Sequence, residues 1–376
     1  MEISLSRLPK EEQVTLTLGS VFEQRGYRRY QMSNFETYDM YLANKSFLES
    51  EGVITFTDAS GRLMALKPDV TMSIVKNTKQ NDTSNKLYYI ESVFRSVEHG
   101  SNYREIPQMG VEYIGAKSAY AEAEVAELAV RSLEAISKDC ILNISHMGFI
   151  TGLLNSMNIP DDLRGDIVKS ISGKNEHGVI AAASAAGCTE QQVQTLSGLV
   201  QLSGRFKSTL KKAENLVEND EMKTSLAALK SLYLALCEAK ADDNVRLDFS
   251  IINDLDYYNG LIFRGYVKGV PHCVLSGGRY DKLMRRFSKP QCAVGFALYL
   301  DELGRAYADK RQYDVDTLLL YNENALSQTV MTAVQYLMKT VPSVRAETQL
   351  PQNLRFRRLL VLNEDGTVTE KEVVKC

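Results

Sequence analysis

The sequence predicts an α+β protein whose sheet is interrupted by a helical insertion and followed by a short α/β tail. Three observations carry this. Two strand-like runs, KLYYIESVFRS at 86–96 and EIPQMGVEYIG at 105–115, flank one polar loop and read as an antiparallel pair. Between about 150 and 240 aromatic residues thin out and Ala-rich and Lys/Glu-rich runs take over, after which strand signals return. Beyond about residue 310 a strand, a helix and a hairpin follow in order.

Each element has a local reason. Residues 10–25 (KEEQVTLTLGSVFEQR) place Val14, Leu16, Leu18, Val21 and Phe22 mainly at helical spacing, and Gly26 is the expected stop. Aromatic and β-branched residues from Tyr27 to about Ala43 suggest a strand. VITFTDASGRLMAL (53–66) reads as a hairpin turning at Ala59, Ser60 and Gly61. After Pro68, DVTMSIVKN looks like the first turns of a helix. The strand pair is joined by VEHGSNYR. Ser118 is the expected N-cap of a long helix with Val125, Leu128, Ala129, Leu133 and Ile136 on one face and Glu122 and Glu124 near its positive end. VIAAASAAG and TLKKAENLVENDEMKTSLAALKSLYLALCEAK carry the insertion. Strands resume at NVRLDFSIIN, LIFRGYV, HCVLS and AVGFALYL. In the tail, TLLLY precedes a helix with Leu326, Val330, Val334 and Leu337 on one face, then a hairpin over Asp365 and Gly366.

Length and composition narrow the function. At 376 residues more than one folding unit is expected. Apolar residues make up 44% and charged residues 24%, ordinary for a globular chain, and the net charge of −3 advertises no large nucleic-acid footprint. The six cysteines (Cys140, Cys188, Cys237, Cys273, Cys292, Cys376) form no Cys-x-x-Cys pair and read as small buried hydrophobes in a reducing compartment. The four histidines, His99 in a loop among them, lack metal-ligand spacing, so no metal is expected. No apolar run approaches a membrane span and the first residues resemble no leader, so a cytoplasmic protein is expected.

Strand periodicity points to a site. Residues two apart share a face, so Gln108, Gly110, Glu112 and Ile114 stand together and an amide and a carboxylate flank a residue without a side chain. This is a cradle for a small ligand rich in N–H groups, or else a solvated face. The same rule places Asp254, Asp256 and Tyr258 together. Gly277 and Gly278 permit close approach of a ligand or backbone, or form a turn, and Arg279 with Asp281 reads as a structural ion pair.

These residues lie in strings that resemble histidyl-tRNA synthetases and their relatives: SGGRYDKL at 276–283, DLDYYNGLIF at 254–263, AVGFALYLDEL at 293–303, LKPDVT at 66–71, VFRSVE at 93–98 and YREIPQMGVEYIG at 103–115. The resemblance covers most of residues 10–310. It implies the class II aminoacyl-tRNA synthetase core, a mostly antiparallel six-stranded sheet flanked by helices and usually dimeric. That gives a core over 1–310, the insertion at about 150–240 and a small C-terminal α/β domain over 311–376. It also implies that Asp69, Thr71 and Gln108 hold an amino acid's ammonium group, that Glu112 and Tyr258 grip an imidazole, and that Arg95 meets a carboxylate or α-phosphate. Gly110, Tyr257, Gly277, Gly278 and Arg279 would support the pocket.

The departures from the synthetase pattern bear on activity. Asn253 and Asp254 stand where the synthetase carries Arg-Gly, and Tyr299, Leu300, Asp301, Glu302 and Leu303 stand where Gly-Leu-Glu-Arg-Leu is expected. A charged hydrogen bond contributes roughly 1.5–3 kcal/mol, and a like charge about 4 Å away costs on the order of 4 kcal/mol at an effective dielectric near 20. Losing one and gaining the other weakens triphosphate binding by powers of ten, unless Arg286 or Arg305 moves in, and Tyr299 adds bulk. The motif 1 proline is replaced around Ser33, and the tail is about two thirds as long as the synthetase anticodon domain. A retained histidine pocket without adenylation chemistry resembles the regulatory subunit of ATP phosphoribosyltransferase, for which Asp69 in place of a glutamate is also typical. That resemblance implies a non-catalytic chain, without cofactor, in a hetero-oligomer. Its partner would be a short catalytic subunit in the first step of histidine biosynthesis, and its ligand free histidine carrying the feedback signal. The alternatives are a divergent histidyl-tRNA synthetase and a binding module acting on translation or another ligase.

Overall fold

The structure, a computed structural model, describes residues 8–44, 52–78, 84–97, 102–115, 118–252, 257–307 and 313–371. The chain divides into two compact units, 1–308 and 309–376. Among the described residues no helix is long and apolar enough to cross a membrane.

In the first unit, α1 (Lys10–Gln24) buries Val14, Leu18 and Phe22, and Gly26 takes a φ of 79° to turn the chain into β1 (Arg28–Arg29). The single strand expected to Ala43 divides instead into β2 (Phe35–Thr37) and α2 (Tyr38–Ala43). Asp39 sits in the first turn of α2, where the helix dipole favours an acid, and Met40 and Tyr41 are buried. The hairpin of β3 (Thr55–Thr57) and β4 (Leu63–Leu66) forms as expected, with β2 on the other edge of β4. Asp58 closes its turn by accepting the N–H groups of Ser60 and Arg62 at 2.8 and 2.9 Å. Asp69 then caps α3 (Val70–Asn77), its carboxylate accepting the Met72 N–H at 2.7 Å.

The expected strand pair is present and longer than it reads. β5 (Asn85–Val97) and β6 (Asn102–Ile114) pair antiparallel in unbroken register from Asn85↔Ile114 to Val97↔Asn102. Arg95 and Arg104 are therefore register partners, and Arg104, read as part of the loop VEHGSNYR, belongs to β6. What is left of that loop, with His99, lies outside the described residues. In α4 (Ala119–Ile136) the predicted apolar face is buried, while Ser118 occupies the N-cap without a side-chain cap bond.

β7 (Cys140–His146) leads into α5 (Met147–Ser156), α6 (Asp161–Ser172), α7 (Glu176–Ala185), α8 (Glu190–Val200), β8 (Ser203–Arg205), α9 (Phe206–Glu214) and α10 (Asp220–Glu238). The chain re-enters the sheet through β9 (Val245–Asp248), β10 (Leu261–Val267) and β11 (Leu275–Arg279). α11 (Asp281–Arg286), β12 (Ala293–Tyr299) and α12 (Leu300–Ala306) follow. The sheet order is β1-β5-β6-β12-β11-β10-β7-β9-β8. Its central six strands, β5 to β7, are antiparallel neighbours throughout. The implied six-stranded sheet is thus extended to nine, by β1 parallel to β5 on one edge and by β9 and β8 on the other. The stretch read as purely helical supplies β8, which pairs antiparallel with β9. Of the five described cysteines, all free, only Cys140 is fully buried, so the reading of all six as buried is corrected.

In the second unit β13 (Val315–Leu320), α13 (Ser327–Leu337), β14 (Val344–Glu347), β15 (Phe356–Leu362) and β16 (Val368–Lys371) form a sheet in the order β14-β13-β15-β16. β14, β13 and β15 run parallel, and the predicted hairpin joins β15 to β16 over Asp365 and Gly366. Val330, Val334 and Leu337 join the small core, but Leu326 is 75% exposed. It precedes the helix in an extended conformation, which takes it off the helical face.

Candidate ligand-binding site

A buried carboxyl stands on the central sheet of the first unit. Glu112 on β6 is 1% exposed and Gln108, two pairs along the same face, is 4% exposed, so this face is interior rather than solvated. Thr71, in the first turn of α3, donates its hydroxyl to Glu112 Oε1 at 2.7 Å, and Tyr280 donates to Oε2 at 2.5 Å. Burial pushes the Glu112 carboxyl up to about 8 with a smaller push from Asp69, although both hydroxyl donors pull it down. Near pH 7 the group is mainly a neutral acid, ready to become a carboxylate when a cationic ligand arrives.

A cavity of about 60 Å³ opens over this carboxyl. One water needs about 10–15 Å³ of such space, so the cavity has room for a small molecule. Asp69, Thr71, Arg95, Gln108, Glu112 and Tyr258, brought from four separate segments, all line it. Tyr257 and Gly277 are on its wall as well. Asp69 serves as the α3 cap at the same time, and Arg95 Nε donates to Pro68 O at 2.9 Å, fixing the approach to α3.

The floor is nearly bare backbone. Gly277 is a strand residue of β11, not a turn, and a Cβ there would lie 2.3 Å from Gly295 O. Gly110 and Gly278 stand behind the wall. A Cβ at 110 would meet the Tyr89 hydroxyl at 2.4 Å, and one at 278 would meet Leu261 O at 2.4 Å and the Tyr258 ring at 2.8 Å. Both therefore give room to wall tyrosines. Arg279 is also off the wall, in ion pairs at 2.8 Å with Glu122 and with Asp281. Asp281 in turn accepts from Asn259 and from the Ala293 N–H, which ties the turn carrying Tyr257 and Tyr258 to β11 and β12.

Two sequence readings change. Tyr258 sits in a turn after β9 has ended, so no strand alternation governs it, and Asp254 and Asp256 lie outside the described residues. Asn253, the other position of a missing arginine, is outside them too. The acidic pair after β12 is not a bare negative charge. Asp301 accepts from Arg104 at 2.6 Å and also from Arg305, which lies 3.1 Å from Glu302. Local neutralisation reduces the repulsion expected of Glu302. Arg286 donates to Ala43 O.

Tyr280, Tyr89 and Ser276 escaped the sequence reading, whereas Tyr299 was read only as bulk at a nucleotide seat. Tyr280 lies inside SGGRYDKL, yet its hydroxyl's reach to Glu112 depends on a strand-to-helix turn that spacing does not reveal. Tyr89, fully buried, shares the β5 face of Leu87 and Glu91. Ser276 and Tyr299 meet through their hydroxyls at 2.7 Å across β11 and β12. Among the described residues no cluster of His, Cys, Asp and Glu could hold a metal.

Comparison with known proteins agrees with this architecture. Residues 2–303 match the family model for histidyl-tRNA synthetase. An ATP phosphoribosyltransferase regulatory subunit from Bacillus cereus (strain G9842) is 28% identical over 328 residues, covering 84% of this chain and 78% of that protein. Two solved structures share the fold. An ATP phosphoribosyltransferase regulatory subunit/histidyl-tRNA synthetase from Bacillus halodurans superposes with a TM-score of 0.79 at 22% identity, over 94% of this chain and 93% of that one. A chain of the ATP phosphoribosyl transferase (HisG:HisZ) complex from Thermotoga maritima gives 0.61 at 20% identity, over 76% and 96%.

Proposed function

We propose, for a chain that belongs to the histidyl-tRNA synthetase family, that it is a non-catalytic regulatory subunit of an ATP phosphoribosyltransferase and binds free histidine in the Glu112 cavity. The observation that carries this reading is the buried Glu112 carboxyl, held by Thr71 and Tyr280 at the base of a cavity rimmed by Asp69, Gln108 and Arg95. An imidazole offers a basic nitrogen and an N–H to the carboxyl. The ammonium group finds Asp69, Thr71 and Gln108, and Arg95 suits the carboxylate. The name carried by the Bacillus relatives supports the regulatory role, and the named Thermotoga complex supports a catalytic phosphoribosyltransferase as partner. That this chain is a homodimer within the hetero-oligomer is part of the proposal and rests on the family resemblance alone.

The absence of synthetase activity belongs to the same proposal. Glu302 occupies the motif 3 arginine position, and Arg104 and Arg305 are drawn into pairs with Asp301 and Glu302 rather than left for phosphates. Tyr299, hydrogen bonded to Ser276, occupies cavity wall where the synthetase pattern has glycine. In the second unit Arg345, Arg355, Arg357 and Arg358 all engage acidic neighbours, which weakens an RNA footprint. Histidine would act by linkage: whichever arrangement of the assembly binds it better gains population, with a coupling of ~1–3 kcal/mol.

Histidine-dependent exchange of pyrophosphate into ATP separates this reading from a divergent histidyl-tRNA synthetase, since the regulatory subunit gives none. Calorimetric titration with histidine should show binding that Glu112→Ala abolishes and a distant surface variant retains. Copurification with a short phosphoribosyltransferase distinguishes both from a module acting on translation.

A further inference from the structure

Lys289 is a lysine 8% exposed whose ammonium has no carboxylate partner among the described residues. It instead donates to three main-chain carbonyls at the C-terminal end of α3: Val75 O, Lys76 O at 3.0 Å and Thr78 O. The last carbonyls of a helix lack intrahelical donors and carry the negative end of its dipole, so a cation seated there both caps and anchors it.

The backbone is arranged to deliver this side chain. α11 ends at Arg286 with Phe287 as its C-cap, and Ser288 takes a φ of 57°, a region that favours glycine and that serine occupies at some cost. Pro290 follows and restricts Lys289 to extended conformations. The Lys289 N–H returns to Met284 O at 3.0 Å, locking the segment to α11. α11 itself begins directly after Tyr280, one of the two hydroxyl donors to Glu112. The other donor, Thr71, is on the opposite end of α3 from the carbonyls that Lys289 holds. Buried Met72, Ile74 and Val75 of α3 pack in one cluster with Tyr280, Leu283 and Met284. α3 is thus fixed at its C-terminal end by the segment that follows the Tyr280 donor, and at its N-terminal end it presents Asp69 and Thr71 to the cavity.

We propose that Lys289 is a positioning residue for the ligand cavity: by anchoring the C-terminal carbonyls of α3 it sets where Asp69 and Thr71 stand opposite Glu112. The effect on affinity rests on the reading of the cavity as a histidine site. The effect on α3 does not.

The test uses the full chain with Lys289→Met, which keeps the apolar stem and removes the donors, Lys289→Arg as the conservative variant, Thr71→Val, and the Lys289→Met/Thr71→Val double variant. Should Lys289→Met fail to fold, Lys289→Gln takes its place. Histidine affinity by calorimetry should fall about tenfold or more in Lys289→Met, the scale of lost hydrogen bonds to a charged group. Lys289→Arg should recover most of it, and the double variant should lose no more than Thr71→Val alone. Unchanged affinity in Lys289→Met, or losses that multiply in the double variant, would overturn the proposal. Amide exchange without ligand is the independent arm: protection should drop over 70–78 in Lys289→Met while the central sheet is unaffected. If the wild-type chain takes up no histidine, the functional reading fails and this arm alone judges the anchor, with unaltered protection of α3 counting against it.

Discussion

Gly295 and Glu112 are register partners on β12 and β6, and a Cβ built on Gly295 would lie 1.8 Å from Glu112 Oε2 and 2.4 Å from Val111 O. The absence of a side chain at 295 is what lets the carboxyl lie flat on the sheet. Gly295→Ala should therefore expel the carboxyl from between Thr71 and Tyr280, costing about 1–3 kcal/mol of stability as an overpacked core does. Histidine uptake should disappear with it, while secondary structure by circular dichroism is kept. A Gly295→Ala chain that binds histidine normally would rule out Glu112 as the contact.

The raised Glu112 carboxyl gives a signed pH dependence. Its folded value is about 8, against 4.5 for an ordinary glutamate, so between these limits the folded chain holds a proton that the unfolded chain releases. The stability due to this group is complete below about pH 4.5 and is lost as pH rises toward 8. Urea denaturation of the wild type and Glu112→Gln at pH 6 and pH 9 should show the glutamine variant gaining relative stability at the higher pH. An identical difference at both would mean that the carboxyl titrates normally.

Ligand affinity should follow the same proton. With one proton shared between Glu112 and an imidazole whose own pKa is about 6.5, affinity should peak between about pH 6.5 and 8 and fall at either side. Titrations from pH 5.5 to 9 check this. The alkaline fall should be absent in Glu112→Gln, whose weaker binding lacks the titrating group.

Removing a single donor isolates the hydroxyl contacts. Tyr280→Phe leaves a fully buried carboxyl with one partner fewer and should cost about 1–3 kcal/mol, readable as a lowered denaturation midpoint. Because the lost bond favours the ionised form, the Glu112 titration should also move further up.

Lys67 and Glu91 form a second ion pair largely out of solvent, at 2.5 Å, with the lysine side chain 0% and the glutamate 11% exposed. Lys67→Met strands Glu91 and should destabilise by about 3–5 kcal/mol, whereas Lys67→Met with Glu91→Leu should recover much of the loss. Chemical denaturation of the three chains decides it.

How much of this was legible in the sequence depended on whether a signal was local. The alternation in PQMGVEYIG placed Gln108 and Glu112 on one face, and the 3.6-residue pattern found α4, because both are properties of a single element. α2 was missed because six residues ending a stretch of aromatics carry too little periodicity to oppose a strand reading. β8 was missed because three residues, Ser-Gly-Arg, have no strand propensity and pair only because β9 offers an edge. Tyr280, Tyr89 and Lys289 act across long sequence separations, and only the folded sheet brings them to Glu112 and α3.

A cavity whose base is glycine on adjoining strands cannot be reshaped from below, since any added atom strikes main chain or the Glu112 carboxyl itself before it reaches a ligand. Divergence toward another small molecule would have to proceed through the rim, at α3 and at the turn carrying Tyr257 and Tyr258, where side chains can be exchanged without displacing a strand. Relatives with different ligand preferences should accordingly differ at the lip of this bowl and agree at its bottom.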